Sequence, residues 1–536
     1  MKKYDQVYVN GKIFTSDDSR LYADAMAVCD GRIAWIGREE EQDFKEEDVV
    51  DLKGRTVLPG LIDSHMHPIM LAANLKQIVC LPPYIHSIEE LKAAVKGRRE
   101  EQGPEGWILG WGYDEGKLEE GRTPSRYDLD AGAADVPVCI IRSCGHLRCV
   151  NSKALELAGI DENTASPPGG EVVKDEHGVP TGILKENARE LLRDILPEEE
   201  ENEIIENLAD LSAHLLSQGI TSISDMGNVD DRDYFDIYEK AREKGFRQRI
   251  GVFYMWDQFR NKAGFHFEKE RLETDRLTRI CGIKIIGDGG ISGRTAWVNR
   301  PYLGGSGAEY GISTCTEEDV TSAIAFCKEY HAQLAIHAMG QNSIDMACSL
   351  IAREQNWLGG QPMPHARIEH ASMPTENALE KSASAGIAFV TQPVFLYAEI
   401  ERYVENMGME WLQSTFPFKE ILDRGIRLAF STDAPATPLA DASNPFICLQ
   451  TAVTRKAHDG TDCGRANCVD LETAVKLYTR EGAYVMGFSQ TGMLKEGYHG
   501  DFIILDRDIF TIPVEEIEKV KVEEVYMDGE PVYHIS

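Results

Sequence analysis

Two histidines one residue apart, His65 and His67, close the apolar run Thr-Val-Leu-Pro-Gly-Leu-Ile-Asp-Ser-His-Met-His (56–67). On a strand, residues i and i+2 point to the same side, so both imidazoles leave one face near one strand end. Neutral imidazole is the commonest protein ligand for a catalytic divalent metal. A single such pair also arises by accident on surfaces, and the weight comes from what recurs downstream. Lys284 stands in Gly-Ile-Lys-Ile-Ile-Gly-Asp-Gly (282–289), and His337 ends Gln-Leu-Ala-Ile-His. His370 ends Arg-Ile-Glu-His, and Asp433 ends Leu-Ala-Phe-Ser-Thr-Asp. Each lies in or at the end of another strand-like run.

Lys284 is the unusual member. A lysine inside an apolar strand loses its hydration at a cost unless it is paired or modified. Two readings follow: an ion pair with a neighbour such as Asp288, or carbamylation by CO₂. The second converts the ammonium into an anion able to bridge two metal ions, and divalent cations stabilise it.

These residues need a scaffold that brings distant strand ends together. Strand-like runs are read at 56–63, 221–225, 250–255, 280–286, 333–336, 366–368, 387–390 and 427–430. Helix-period segments fill most gaps, near 202–217, 231–245, 316–331, 341–356, 376–386, 410–424 and 470–486. Eightfold strand–helix alternation is the pattern of an α/β (β/α)₈ TIM barrel, whose active sites lie at the C-terminal strand ends. A doubly wound open sheet is the alternative. The N-terminal 55 residues read as short strands, with Asn10-Gly11 and Asp30-Gly31 as hairpin turns; the last 45 look similar, with a turn at Asp528-Gly529. Together the two ends predict one small β-sandwich. The expected division is 1–55 with 489–536 as the sandwich and 56–488 as the barrel. An inserted subdomain at about 75–200, after the first strand, is expected to lie over the barrel mouth.

The chain has 536 residues, 42% hydrophobic and 27% charged, which is ordinary globular composition. A formal charge of −33 argues against nucleic acid and anionic membranes as partners. The start shows no apolar core of signal-peptide length, and no segment reaches the 18 apolar residues that span a bilayer. Twelve cysteines, none in a Cys-x-x-Cys pair, read as reduced thiols. The expectation is a cytoplasmic protein acting on a small-molecule substrate, with a homodimer left open.

His-x-His after the first strand, the strand-four lysine, two single histidines and the strand-eight aspartate resemble the amidohydrolase superfamily of metal-dependent hydrolases. The words Leu-Pro-Gly-Leu-Ile-Asp-Ser-His-Met-His, Lys-Ile-Ile-Gly-Asp-Gly, Arg-Ile-Glu-His-Ala, Ser-Thr-Asp-Ala-Pro and Gly-Asp-Phe-Ile-Ile-Leu-Asp (500–506) narrow this to amidohydrolase family 3, the YtcJ-like kind. So do Gly-Trp-Gly-Tyr-Asp (110–114) and Arg-Ser-Cys-Gly-His-Leu (142–147) in the insertion. The resemblance implies one or two zinc-like ions. His65, His67, Lys284 and Asp433 would hold the more buried one, and Lys284, His337 and His370 the second. It also implies a carbamate on Lys284 and a sandwich built from both termini. The chain departs at Gln341, where relatives often carry an acid. Zn, Mn, Fe and Co all accept such ligands.

Hydrolysis of a non-peptide carbon–nitrogen bond, in an amide, formamide, carbamate or cyclic imide, is the leading expectation. A metal-activated water is the attacking group and Asp433 the proton carrier. His146 and Arg142 are candidate oxyanion donors or anchors for an anionic substrate group. Trp111, Tyr113, Trp297, Phe395 and Tyr397 line a substrate pocket or simply pack in the core. Gly287–Gly293 lacks the phosphate-loop pattern and reads as a tight βα turn, with Arg294 approaching the substrate. The alternatives are a single-metal deaminase of the same superfamily, against which Lys284 counts, and a non-catalytic relative, against which the full ligand set counts.

Overall fold

The computed structural model describes residues 4–44, 48–143, 145, 147–197, 199–304 and 308–535. Eight strands form one parallel sheet in chain order: β1 (Leu61–Met66), β2 (Ile220–Asp225), β3 (Arg249–Met255), β4 (Thr278–Ile286), β5 (Gln333–Ala338), β6 (Ala366–His370), β7 (Ala388–Thr391) and β8 (Leu428–Phe430). Nearly every residue in them is buried, as expected of strands with side chains covered on both faces. The two sheet edges meet. Ser64 Oγ donates to the Phe430 carbonyl at 3.1 Å, the Asp433 amide to that of His65 at 2.8 Å, and the His67 amide to that of Ala434 at 2.8 Å. Asp63, fully buried, ties the same seam: it accepts from the Thr432 hydroxyl at 2.6 Å and the Tyr478 hydroxyl at 2.8 Å. The result is a nearly closed (β/α)₈ barrel.

The first strand was expected over 56–63, but the chain breaks at Gly60. Residues Thr56–Pro59 pair with Lys12–Phe14 and Phe502–Leu505, and only Leu61–Met66 enters the barrel. Pro59 cannot donate to a continuous ladder, and a Cβ on Gly60 would sit 2.3 Å from the Thr221 hydroxyl. Asn10-Gly11 does not close a hairpin, contrary to the sequence expectation. Gln6–Val9 belongs to a four-stranded sheet with Arg32–Gly37, Ala25–Cys29 and Val49–Asp51. Lys12–Phe14 instead lies in a six-stranded sheet with Glu530–His534, Val522–Met527, Phe502–Leu505, Thr56–Pro59 and Tyr22–Ala23. Asn10-Gly11 is thus a corner between the layers of the terminal sandwich. Its core includes Tyr8, Ile13, Met26, Ile33, Val57, Phe502 and Ile504.

Two expected helices are each divided. Met409–Gln413 and Phe418–Asp423 are separated around Phe416, with φ of 50°, and Pro417. Leu471–Leu477 and Arg480–Met486 part at Thr479, which leaves helical geometry. Gly287–Gly293 opens a long excursion instead of a direct βα turn, since the next helix begins at Glu317.

A second compact unit comprises residues 68–207 and 435–442. Its six-stranded sheet runs in the order Gly170–Lys174, Pro180–Glu186, Leu147–Val150, Val138–Arg142, Ile108–Tyr113 and Ile78–Val79. The expected turn at 176–178 joins the first two of these strands. Among the described residues every cysteine is a free thiol, and no helix is long and apolar enough to cross a membrane.

Candidate metal centre

The barrel register brings the sequence-selected side chains to one rim. His65 sits within β1 and His67 one residue beyond it; Asp433 follows β8 across the seam. Asp433 Oδ1 lies 3.2 Å from Nε2 of His65 and 3.2 Å from Nε2 of His67. The His65 and His370 ring centroids are 4.8 Å apart, and those of His370 and His337 4.3 Å. Ligand atoms of His65, His370 and Asp433 all fall within 4.8 Å of one another.

Backbone geometry is unusual here. His370, Ala371 and Asp433 adopt φ of 69°, 44° and 59°. Positive φ is uncommon outside glycine and least comfortable for a residue such as Ala371 without a compensating side-chain bond. Such outliers persist where surrounding structure enforces them, and they cluster at functional sites.

The polar atoms at this rim are incompletely satisfied. Lys284 Nζ is buried and has no hydrogen-bond partner, while Asp433 Oδ1 faces the Nε2 atoms of His65 and His67. A buried ammonium left so costs about 1–3 kcal/mol or more. The ion pair with Asp288, the alternative reading of Lys284, is not formed. Asp288 instead accepts from the amides of Met339 (3.0 Å), Gly340 (2.8 Å) and Trp297 (2.8 Å), organising the loop after β4. Burial brings the Lys284 amine down to about 8. Burial, with Lys284, takes His337 to about 3, and burial takes His370 well below its usual range. Neutral imidazoles at His337 and His370 and an ionised carboxylate at Asp433 are donors of the kind a divalent cation takes. Burial alone would raise Asp433, but His65, His67 and His370 hold it well below the ordinary carboxylate range.

Several contributing residues had escaped sequence reasoning. Gln392 Oε1 accepts from Nδ1 of His370 at 2.8 Å, while its amide nitrogen donates to the Ser431 hydroxyl at 2.9 Å. Glu369 Oε2 lies 2.5 Å from Nδ1 of His65 and is held by Arg367. Asp63, closing the seam from within the motif Leu-Ile-Asp-Ser-His, belongs with them. The available signal was charge in the strand: Asp63 in β1, and Arg367 with Glu369 in β6, stand at inward positions of otherwise apolar runs.

Among the other candidates, Phe395 stacks on the His370 ring, with centroids 5.8 Å apart and 15° between planes. Trp297 is half-buried beside Asp288. Arg294 Nε donates to Asn406 Oδ1 at 2.6 Å, with Glu405 and Glu309 near its other nitrogens. Tyr397 donates to Glu518 at 3.1 Å, and Gln341 opens the helix after β5. Within the second unit, Arg142 is gripped by Glu115 through two contacts of 2.9 Å. Tyr113 is fully buried in that unit's core, and Trp111 is largely buried. His146 lies outside the described residues.

The sequence profile of the amidohydrolase family matches residues 48–533. The chain belongs to the amidohydrolase family. This amidohydrolase is 28% identical to YtcJ of Bacillus subtilis, provisionally named an amidohydrolase, over 99% of each chain. It is 26% identical to the N-substituted formamide deformylase of Arthrobacter pascens, over 98% of this chain and 97% of that one. Among solved structures, an uncharacterized metal-dependent hydrolase from Pyrococcus horikoshii matches 95% of the amidohydrolase and 99% of its own chain, at 26% identity and a TM-score of 0.75.

Proposed function

We propose that this amidohydrolase is a metal-dependent enzyme that hydrolyses a non-peptide carbon–nitrogen bond. The observation that carries the reading is Lys284 Nζ: a buried nitrogen with no hydrogen-bond partner, in a rim that also holds His65, His67, His337, His370 and Asp433. These six residues would hold one or two zinc-like ions, with Lys284 carrying a carbamate. A lysine amine brought to about 8 is partly neutral at physiological pH and so can add to CO₂, forming a nitrogen–carbon bond and losing a proton. Bound here, the metal supplies an acidified water and polarisation of the scissile carbonyl.

The remaining steps fall to the chain. Asp433 takes a proton from the attacking water and returns it to the leaving nitrogen. The carbon–nitrogen bond breaks, giving an acid and an amine. Phe395, flat against His370, offers an apolar wall beside the reacting atoms. N-substituted formamides head the candidate substrates because a full-length relative carries that activity in its name.

The test is turnover by zinc-reconstituted protein against N-formyl, N-acyl and cyclic-amide panels. Metal-dependent release of amine from at least one class is expected. Ammonia release from aminated heterocycles by a protein with one ion and an unmodified Lys284 would establish a deaminase instead.

A further inference from the structure

Glu369 lies at the centre of a buried charged cluster that the proposed reaction does not use. Its side chain and that of Arg367, two residues earlier on the same face of β6, are both completely buried. The Arg367 guanidinium clasps the carboxylate: Nε reaches Oε1, and Nη2 donates to Oε2 at 3.0 Å and to the Ser64 carbonyl at 2.6 Å. The remaining carboxylate contact is with His65, whose Nδ1 lies 2.5 Å from Oε2. A carboxylate already clasped by a guanidinium is an acceptor, so the hydrogen in this contact sits on Nδ1 of His65. A neutral imidazole then keeps its lone pair on Nε2, the atom 3.2 Å from Asp433 Oδ1. His370 faces a neutral amide, Gln392, instead.

We infer that Glu369 is a positioning residue for His65. With Arg367 as its counter-ion, it fixes the Nδ1-protonated tautomer and the ring angle, and so aims the Nε2 lone pair at the metal. Partners behind a ligating histidine orient the ring and raise its basicity. The inference rests on the metal reading given above, and it is tested without turnover.

Changing Arg367→Met and Glu369→Gln together removes both charges and leaves an acceptor of the same shape behind His65. Buried ion pairs replaced jointly in this way often leave stability intact. The zinc affinity of metal-stripped protein, measured by competition with a chromophoric chelator, is expected to fall about 10- to 100-fold with secondary structure unchanged. An affinity within about twofold of the parent overturns the inference. A second measurement needs no change in the cluster. In metal-stripped protein labelled with nitrogen-15 histidine, the His65 signals are identified by their loss in His65→Asn. At a pH where the ring is neutral, protonation on Nδ1 is expected, and protonation on Nε2 alone overturns the assignment even if the double variant fails to fold. Should the parent take up no zinc, the metal reading falls, and the tautomer measurement still decides what Glu369 does.

Discussion

On the proposed mechanism, Asp433 is where proton transfer and metal retention separate. In Asp433→Asn the amide oxygen would still coordinate an ion but would accept no proton, and general acid–base catalysis is typically worth roughly 10²–10⁴-fold. We expect a loss of turnover of at least that order with the fold and much of the metal retained; near-native turnover would hand the proton to another group. Lys284→Met should lower metal content, measured by plasma mass spectrometry, and Lys284→Ala should regain part of its activity with short carboxylic acids. Full metal content in Lys284→Met would remove the bridging role. The histidines, Lys284 and Asp433 were legible in sequence because polar groups ending apolar runs stand out one at a time. Glu369 and Gln392 were not, because what they do depends on an imidazole brought against them from another residue.

At the level of elements, close strand approach is built in by glycine. A Cβ at Gly282 of β4 would lie 1.8 Å from the Gln333 carbonyl oxygen of β5. Gly282→Ala must therefore push β5 away two residues before Lys284, and overpacking of this kind costs about 1–3 kcal/mol or more. We expect lower thermal stability together with weaker metal retention. Gly97→Ala, in the helix Ile88–Gln102 with open space at the Cβ, should instead gain about 0.5–1 kcal/mol. In the second unit, burial raises the Asp128 carboxyl, but Arg122 and Ser125 bring it down to about 2. Because this value is depressed from 3.8, the stabilisation is complete above about pH 4 and disappears as pH falls towards 2. With Arg122 half-exposed it amounts to about 1–2 kcal/mol. The stability gap between Asp128→Asn and its parent in denaturant unfolding should be widest at pH 6 and shrink steadily as pH falls towards 2; a constant gap would contradict this. Strand–helix alternation made the barrel readable from sequence. The corner at Asn10-Gly11 was not, since an Asn-Gly turn looks the same whether its strands pair with each other or with other layers. The division at Gly60 was hidden likewise, because both halves are apolar.

For the molecule as a whole, a charge of −33 sets which partners are electrostatically accessible. A fluorescent DNA duplex titrated at physiological salt should show no saturable binding, and saturation would point to a basic surface hidden by the net charge. The seam between β1 and β8 has a different consequence, one in time. Asp63 and Thr432, which close it, are 369 residues apart in the chain. At about 5–20 residues per second of synthesis, roughly 20–70 s pass between the emergence of one and the other. During that interval His65 and His67 exist without Asp433, Lys284 arrives part-way, and no complete pocket is available to choose its ion. On the proposed metal reading, ion selection therefore belongs to the finished barrel, because a chain synthesised only as far as β4 holds His65, His67 and Lys284 without His337, His370 and Asp433.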